Sequence, residues 1–169
     1  MWVKTIDEHG SVQNLDWRPI YRSIRLACNI STRGYIWHEA VYWDVPSRRW
    51  YFLPRKASQL QYHPHADQWH GTNLLIVANE DFSEIDVKTV GVVEPEYGYT
   101  SLKKIPGSRN AFMALKVREI VEDGNIKPST HTKLCIFDED GRFYLESGVE
   151  QANGFVHVSD LKFEGLEFL

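Results

Sequence analysis

The sequence predicts an all-β protein, and three observations carry that reading. From Gly34 onward, segments in which apolar and polar residues alternate recur, each closed by a turn signal. Aromatic residues make up 13% of the chain, with six Trp and eight Tyr, and such residues together with β-branched ones favour strands. One segment, near the N-terminus, has the spacing of an amphipathic helix. Many short strands joined by tight turns define a sandwich, a barrel or a propeller. No exact internal repeat selects among these.

Taken in order, residues 2–7 alternate and read as a short strand. Asp16 is placed to cap a helix over 17–28, with Pro19 tolerated in its first turn. Trp17, Ile20, Tyr21, Ile24 and Cys28 form its apolar face; Arg18, Arg22 and Arg25 lie opposite and read as a solvated face. Segments 35–43 and 49–53 are predicted strands around the turn Asp44-Val45-Pro46-Ser47. Segments 74–78 and 86–93 come next as the third and fourth. Strands 98–105 and 111–117 flank Pro106-Gly107-Ser108-Arg109. Strands 133–137 and 142–145 flank Asp138-Glu139-Asp140-Gly141, the clearest short turn signal in the chain. The last predicted strand covers 161–168. Segments 59–72 and 119–132 are polar or charged and read as long surface loops.

At 169 residues the chain fits one domain with a sizeable core. A net charge of −4, with Lys and Arg dispersed, excludes the basic footprint of a nucleic-acid binder. No apolar run has the length of a membrane helix. Met1 is followed by Trp2-Val3-Lys4 and then acidic and polar residues, which predicts no leader peptide. Cys28 and Cys135 are either a disulfide or, more plainly, two buried thiols. Asn29-Ile30-Ser31 is a glycosylation sequon that matters only in a secreted protein.

Few residues announce chemistry on their own. His63, His65, Asp67 and His70 match no standard zinc spacing and are expected to be a polar loop. His38 and Glu39 are neighbours in a strand, so their side chains are expected on opposite faces. Glu39 is costly to bury alone, and Arg55 is its natural partner; a structural ion pair and a site role both stay open. Arg55-Lys56 ends an apolar strand, which suits phosphate binding or an ordinary solvated strand end. Thr100 and Ser101, after Tyr97-Gly98-Tyr99, offer hydroxyl and carbonyl oxygens to a hard cation, and Glu164 offers a carboxylate; each is also unremarkable as surface. No Gly-rich phosphate loop, metalloprotease helix or nucleophile elbow is present, and no complete catalytic set.

Several motifs in order change the weight of these residues. They are Trp2-Val3-Lys4, Gly34-Tyr35-Ile36-Trp37-His38-Glu39-Ala40, Arg49-Trp50-Tyr51-Phe52-Leu53-Pro54-Arg55-Lys56-Ala57-Ser58, Asn73-Leu74-Leu75, Val90-Gly91, Gly98-Tyr99-Thr100-Ser101-Leu102-Lys103 and Phe163-Glu164-Gly165-Leu166-Glu167-Phe168. Through nearly its whole length the chain resembles the C-terminal half of the calcium-activated nucleotidases, also called apyrases. The resemblance implies part of a five-bladed β-propeller: two to three blades, with 36–93 and 98–168 as approximate blades and one short N-terminal helix. It implies calcium-dependent hydrolysis of nucleoside di- and triphosphates, UDP and GDP among them, in the secretory pathway or outside the cell. Calcium is the implied cofactor, with Thr100, where the family commonly has Ser, and Glu164 as ligands. Arg55 falls on a functionally important arginine near the nucleotide, with Glu39 beside it as a substrate-site residue. Lys56 replaces a second arginine and loses the fork geometry. The acidic catalytic residues are expected in the other half, so the chain reads as an incomplete fragment. No nucleic acid or membrane segment is implied, and a homodimer is compatible. The alternative is a non-catalytic propeller fragment that binds nucleotide or a partner. A further one is an unrelated all-β domain.

Overall fold

The computed structural model describes residues 1–120, 129–144 and 154–169. Ten strands in these residues form three sheets, all antiparallel. The first is a hairpin of β1 (Trp2–Ile6) and β2 (Val12–Asp16). Its turn is built by the Asp7 carboxylate, which accepts the backbone N–H groups of His9 and Ser11. Gly10 completes it at φ +81°, a conformation that suits a residue without Cβ.

The N-terminal helix is α1 (Arg18–Ala27). Its N-cap position is Trp17, with no side-chain capping bond, so the expected Asp16 cap is corrected. Asp16 ends β2; it accepts the Arg18 backbone N–H at 3.1 Å and clasps the Arg18 guanidinium at 2.7–3.1 Å. The apolar face behaves as its spacing requires. Trp17, Ile20, Tyr21, Ile24 and Cys28 pack against Phe52, Ile76 and Ala78 of the first large sheet and Phe82 of the turn that follows residue 79.

That sheet has the order β3 (Tyr35–Asp44), β4 (Arg49–Ser58), β5 (Leu74–Asn79), β6 (Ile85–Thr89). The second has the order β10 (Phe155–Ser159), β9 (Ser129–Asp138), β8 (Ala111–Ile120), β7 (Tyr97–Lys104). Alternation along β4 sends Phe52 to the helix, and Tyr51 and Leu53 to the second sheet. On β5, Ile76 and Ala78 face the helix while Leu75 and Val77 face the second sheet. Both faces of these strands are therefore buried, which is why they read as nearly continuous apolar runs. The layer between the sheets holds Tyr99, Leu102, Phe112, Ala114, Cys135, Phe137 and Phe155 from the second sheet. Cys28 and Cys135 are free thiols in separate clusters, so the disulfide alternative falls.

Several expectations are corrected. Residues 161–168 form no strand; the edge strand of this region is β10, which the sequence did not suggest. Residues 142–144 make one bridge, Phe137 with Phe143, in place of a strand, and Leu145 lies outside the described residues. The strand expected over 86–93 ends at Thr89, because Gly91 turns the chain at φ +61°. The segment 59–72 contains a helical turn, α2 (Pro64–Asp67), with Asp67 buried, and is not an open loop. The loop expected over 119–132 has its two ends in β8 and β9, and its centre, 121–128, lies outside the described residues.

Candidate functional site

The candidate residues converge where β4 meets β7. Three irregularities in strand register set the geometry: Trp37 opposes Lys56 and His38 opposes Pro54, which leaves Arg55 out of the β3–β4 ladder, and two more follow. Between β3 and β4, His38 opposes Pro54 and Ala40 opposes Leu53, so Glu39 bulges out of the ladder. Between β7 and β8, Tyr99 opposes Lys116 and Ser101 opposes Leu115, so Thr100 bulges in the same way. A bulge re-aims a side chain that strict alternation would fix, and bulges gather next to active sites. Gly98 allows the approach of the two sheets. A Cβ there would lie 2.4 Å from Arg55 Cγ and 2.8 Å from the Arg55 carbonyl oxygen.

Arg55 sits in this junction with its side chain 11% exposed. Its Nη1 donates to Glu39 Oε1 at 3.0 Å and its Nη2 to Glu119 Oε2 at 2.6 Å. Glu119 also faces Lys162 Nζ at 3.3 Å, and Lys162 holds Glu164 at 2.5 Å. The result is a chain of alternating charge: Glu39, Arg55, Glu119, Lys162, Glu164. Burial pushes the Glu39 carboxyl above its usual range, against the pull of Arg55, and the Glu164 charge adds to the rise. Glu164 is held below its usual range by Lys162.

The segment after β10 is fastened by side chains. Thr100 Oγ1 donates to the Phe163 carbonyl at 3.0 Å. Thr132 Oγ1 donates to the Leu161 carbonyl at 2.5 Å and accepts the Phe163 N–H at 3.3 Å. Lys103 pairs with Glu167 at 2.7 Å. Thr100 and Glu164 are thereby brought to one place although no strand pairing joins them.

Lys56 takes partners separate from those of Arg55. Its Nζ donates to the Gln68 carbonyl at 2.9 Å, and burial pushes its ammonium down to about 8, with Asp67 pulling the other way. In the histidine-rich segment, Asp67 and His70 Nδ1 both bond the Tyr35 hydroxyl, the latter at 2.8 Å, so this segment closes on a phenol. Sequence reasoning missed Glu119 and Lys162, since neither has a local signal. It also missed the buried Lys116, which lies over the Tyr99 and Phe155 rings at 4.8 and 4.7 Å and 3.6 Å from Glu94. A cavity of about 420 Å³ beside α1 is lined by Arg18, Arg22, Arg25 and His38, and by none of Glu39, Arg55, Thr100 or Glu164.

Comparison with known proteins places the chain in a class. The family model for Apyrase matches residues 1–169, and the chain belongs to the apyrase family. It is 36% identical over 169 residues to soluble calcium-activated nucleotidase 1 of Rattus norvegicus, covering 99% of this chain and 38% of that protein. It is 32% identical to the apyrase of Cimex lectularius, over 100% of this chain and 43% of the relative. It is also 32% identical to apyrase apy-1 of Caenorhabditis elegans, over 99% of this chain and 44% of the relative. The chain thus spans less than half the length of these relatives. The family is one of nucleotide-phosphate hydrolases. No helix among the described residues is long and apolar enough to cross a membrane.

Proposed function

We propose that this chain supplies substrate and calcium contacts to a nucleotidase that hydrolyses nucleoside di- and triphosphates, such as UDP and GDP, and releases phosphate. The observation that carries the reading is the position of Arg55, its fork held by Glu39 at a junction that also gathers Thr100 and Glu164. In this reading Arg55 exchanges a carboxylate oxygen for phosphate oxygens, and the bulged Glu39 keeps the guanidinium aimed. A fork with two charge-assisted bonds is the part of this set best suited to a phosphate chain.

The donors here fit calcium. The Glu39 and Glu164 carboxylates, the Thr100 hydroxyl and the Phe163 carbonyl are hard oxygen ligands of the mixed type that calcium takes. Glu39, raised by burial in spite of Arg55, is an anion short of compensation. When bound, calcium supplies Lewis-acid polarisation of phosphate oxygens. The Thr100 hydroxyl and Glu164 hold one side of that site, and Arg55 orients the phosphate. The base that activates water is an acidic residue outside this sequence.

The two large sheets are, in the same reading, blades of a five-bladed propeller, approximately 36–93 and 98–168. The protein works in the secretory pathway or outside the cell. A second reading, nucleotide binding without turnover, is favoured by one feature: Glu39, Glu119 and Glu164 are each engaged by Arg55 or Lys162, so none of them stands free as a base even though two cations leave the three carboxylates one charge short. Phosphate release from UDP and GDP by the longest natural form of the protein, with calcium or with chelator, tests both. Calcium-dependent release that Arg55→Ala lowers roughly 10- to 100-fold, and Lys56→Ala much less, supports the first. Calcium-dependent binding of UDP with no release supports the second. Calcium-independent release, or equal effects at both positions, overturns the assignment.

A further inference from the structure

We propose that His131, His157 and Asp160 form a binding site for zinc or a neighbouring late first-row divalent metal. His131 lies on β9 and His157 on the adjacent edge strand β10. The register of these strands shifts between His157 and Ser159, and the chain then turns to present Asp160. Asp160 Oδ1 is 3.2 Å from His131 Nδ1 and 3.4 Å from His157 Nε2. The two rings lie 5.8 Å apart at 59°. Three ligand atoms, one from each residue, fall within 4.8 Å of one another.

Those spacings match a metal's coordination sphere. Ligands bound at about 2.0–2.1 Å around a tetrahedral ion lie roughly 3.3 Å from each other. Both His–Asp separations have this value, so a small rotation of one imidazole completes a shared sphere. All three side chains reach solvent, with Asp160 77% exposed, which leaves room for water as a fourth ligand. The donor chemistry selects the ion. Two imidazoles and a carboxylate suit zinc, cobalt, nickel or copper, whereas calcium and magnesium take oxygen ligands. The same contacts without a metal lie at the surface and hold the segment weakly. Two such contacts sharing one carboxylate oxygen are the arrangement that a metal would make cohesive.

The site would act on the C-terminal segment. Asp160 precedes Leu161, whose carbonyl is held by Thr132, the neighbour of His131. A metal here staples β9, β10 and the start of the terminal segment, and so restrains the stretch that ends at Glu164. This makes it a regulatory site for that segment, sensitive to metals other than calcium.

The test is titration of untagged protein, stripped of transition metals and held in saturating calcium, with zinc chloride, followed by calorimetry and thermal melting. Cobalt(II) serves as the spectroscopic probe. The expected result is one equivalent bound, tetrahedral cobalt bands in the visible, and a melting temperature that rises with zinc concentration. His157→Ala and Asp160→Asn should each weaken binding at least 10-fold; His131→Gln, assayed alongside, serves in place of either variant if that one does not fold. Absence of binding overturns the proposal. So does binding that these variants leave intact, or that moves only on His63→Ala or His65→Ala. Nucleotide is absent throughout, so failure here leaves the nucleotidase reading standing.

Discussion

Replacing Arg55 by alanine removes the guanidinium that bridges Glu39 and Glu119. The guanidinium is nearly buried and donates to Glu39 at 3.0 Å and to Glu119 at 2.6 Å. Hydrogen bonds between charged groups contribute about 1.5–3 kcal/mol each, and stripping one partner from a buried pair costs about 3–5 kcal/mol. Glu39 and Glu119 are 26% and 29% exposed, so water partly replaces the lost contacts. Discounted for that, the expected loss is about 2–4 kcal/mol. Glu119 keeps Lys162 at 3.3 Å, so Glu39 carries most of the penalty. Urea denaturation measures it, and Glu39→Gln in the Arg55→Ala background should recover more than half by removing the stranded charge. Arg55→Lys should lie between, since an ammonium reaches one carboxylate but not both. A loss below about 0.5 kcal/mol, the range of an ordinary surface change, would refute the reasoning, as would a double variant no more stable than Arg55→Ala alone.

Neighbouring features carry other expected outcomes. Gly98→Ala places a methyl 2.4 Å from Arg55 Cγ and 2.8 Å from its carbonyl; overpacking there should cost about 1–3 kcal/mol, read as a lower denaturation midpoint, and wild-type stability would show that the two sheets yield easily. His38 is packed between Tyr21 and Phe52 with Nδ1 unbonded, and burial pushes its ring down to about 4 from the ordinary 6.5. The unfolded chain therefore binds a proton first; the contribution of this group is full above pH 6.5 and is lost as pH falls toward about 4, roughly 2–3 kcal/mol over that window. Urea midpoints from pH 7 to pH 4.5 should fall less in His38→Phe than in the parent, and parallel profiles would contradict this. Thr132→Val removes the hydroxyl that holds Leu161 and Phe163, so limited proteolysis should cut after Lys162 several-fold faster, with global stability little changed.

The parts of the fold written in local pattern were legible. The strands on either side of the turns after Asp44 and Ile105 could be placed, because alternation and turn chemistry are properties of a few adjacent residues. The apolar face of α1 was legible for the same reason, and so was the Glu39–Arg55 pair across a hairpin. What failed depends on partners distant in sequence. A bulge belongs to the register between two strands, so nothing near Glu39 or Thr100 betrays it. Residues 161–168 alternate like a strand, yet Thr100 and Thr132 occupy backbone groups that a ladder would use. β2 is five residues long with only two apolar ones, so no alternation in the sequence marks it as a strand. Glu119 and Lys162 enter the Arg55 network only through folding.

The two free thiols stand on opposite sides of the first large sheet, Cys28 with the helix and Cys135 between the sheets. Burial pushes Cys28 up to about 11 and Cys135 up to about 12, so neither supplies much thiolate while its layer stays closed. Each thiol therefore times a different opening. Cys28 is only half-buried, and lifting α1 from the sheet exposes it further, while Cys135 is fully buried and is reached only when the sheets part. Labelling both in one sample gives two clocks, and the ratio of their rates measures how much more easily the helix leaves than the core opens.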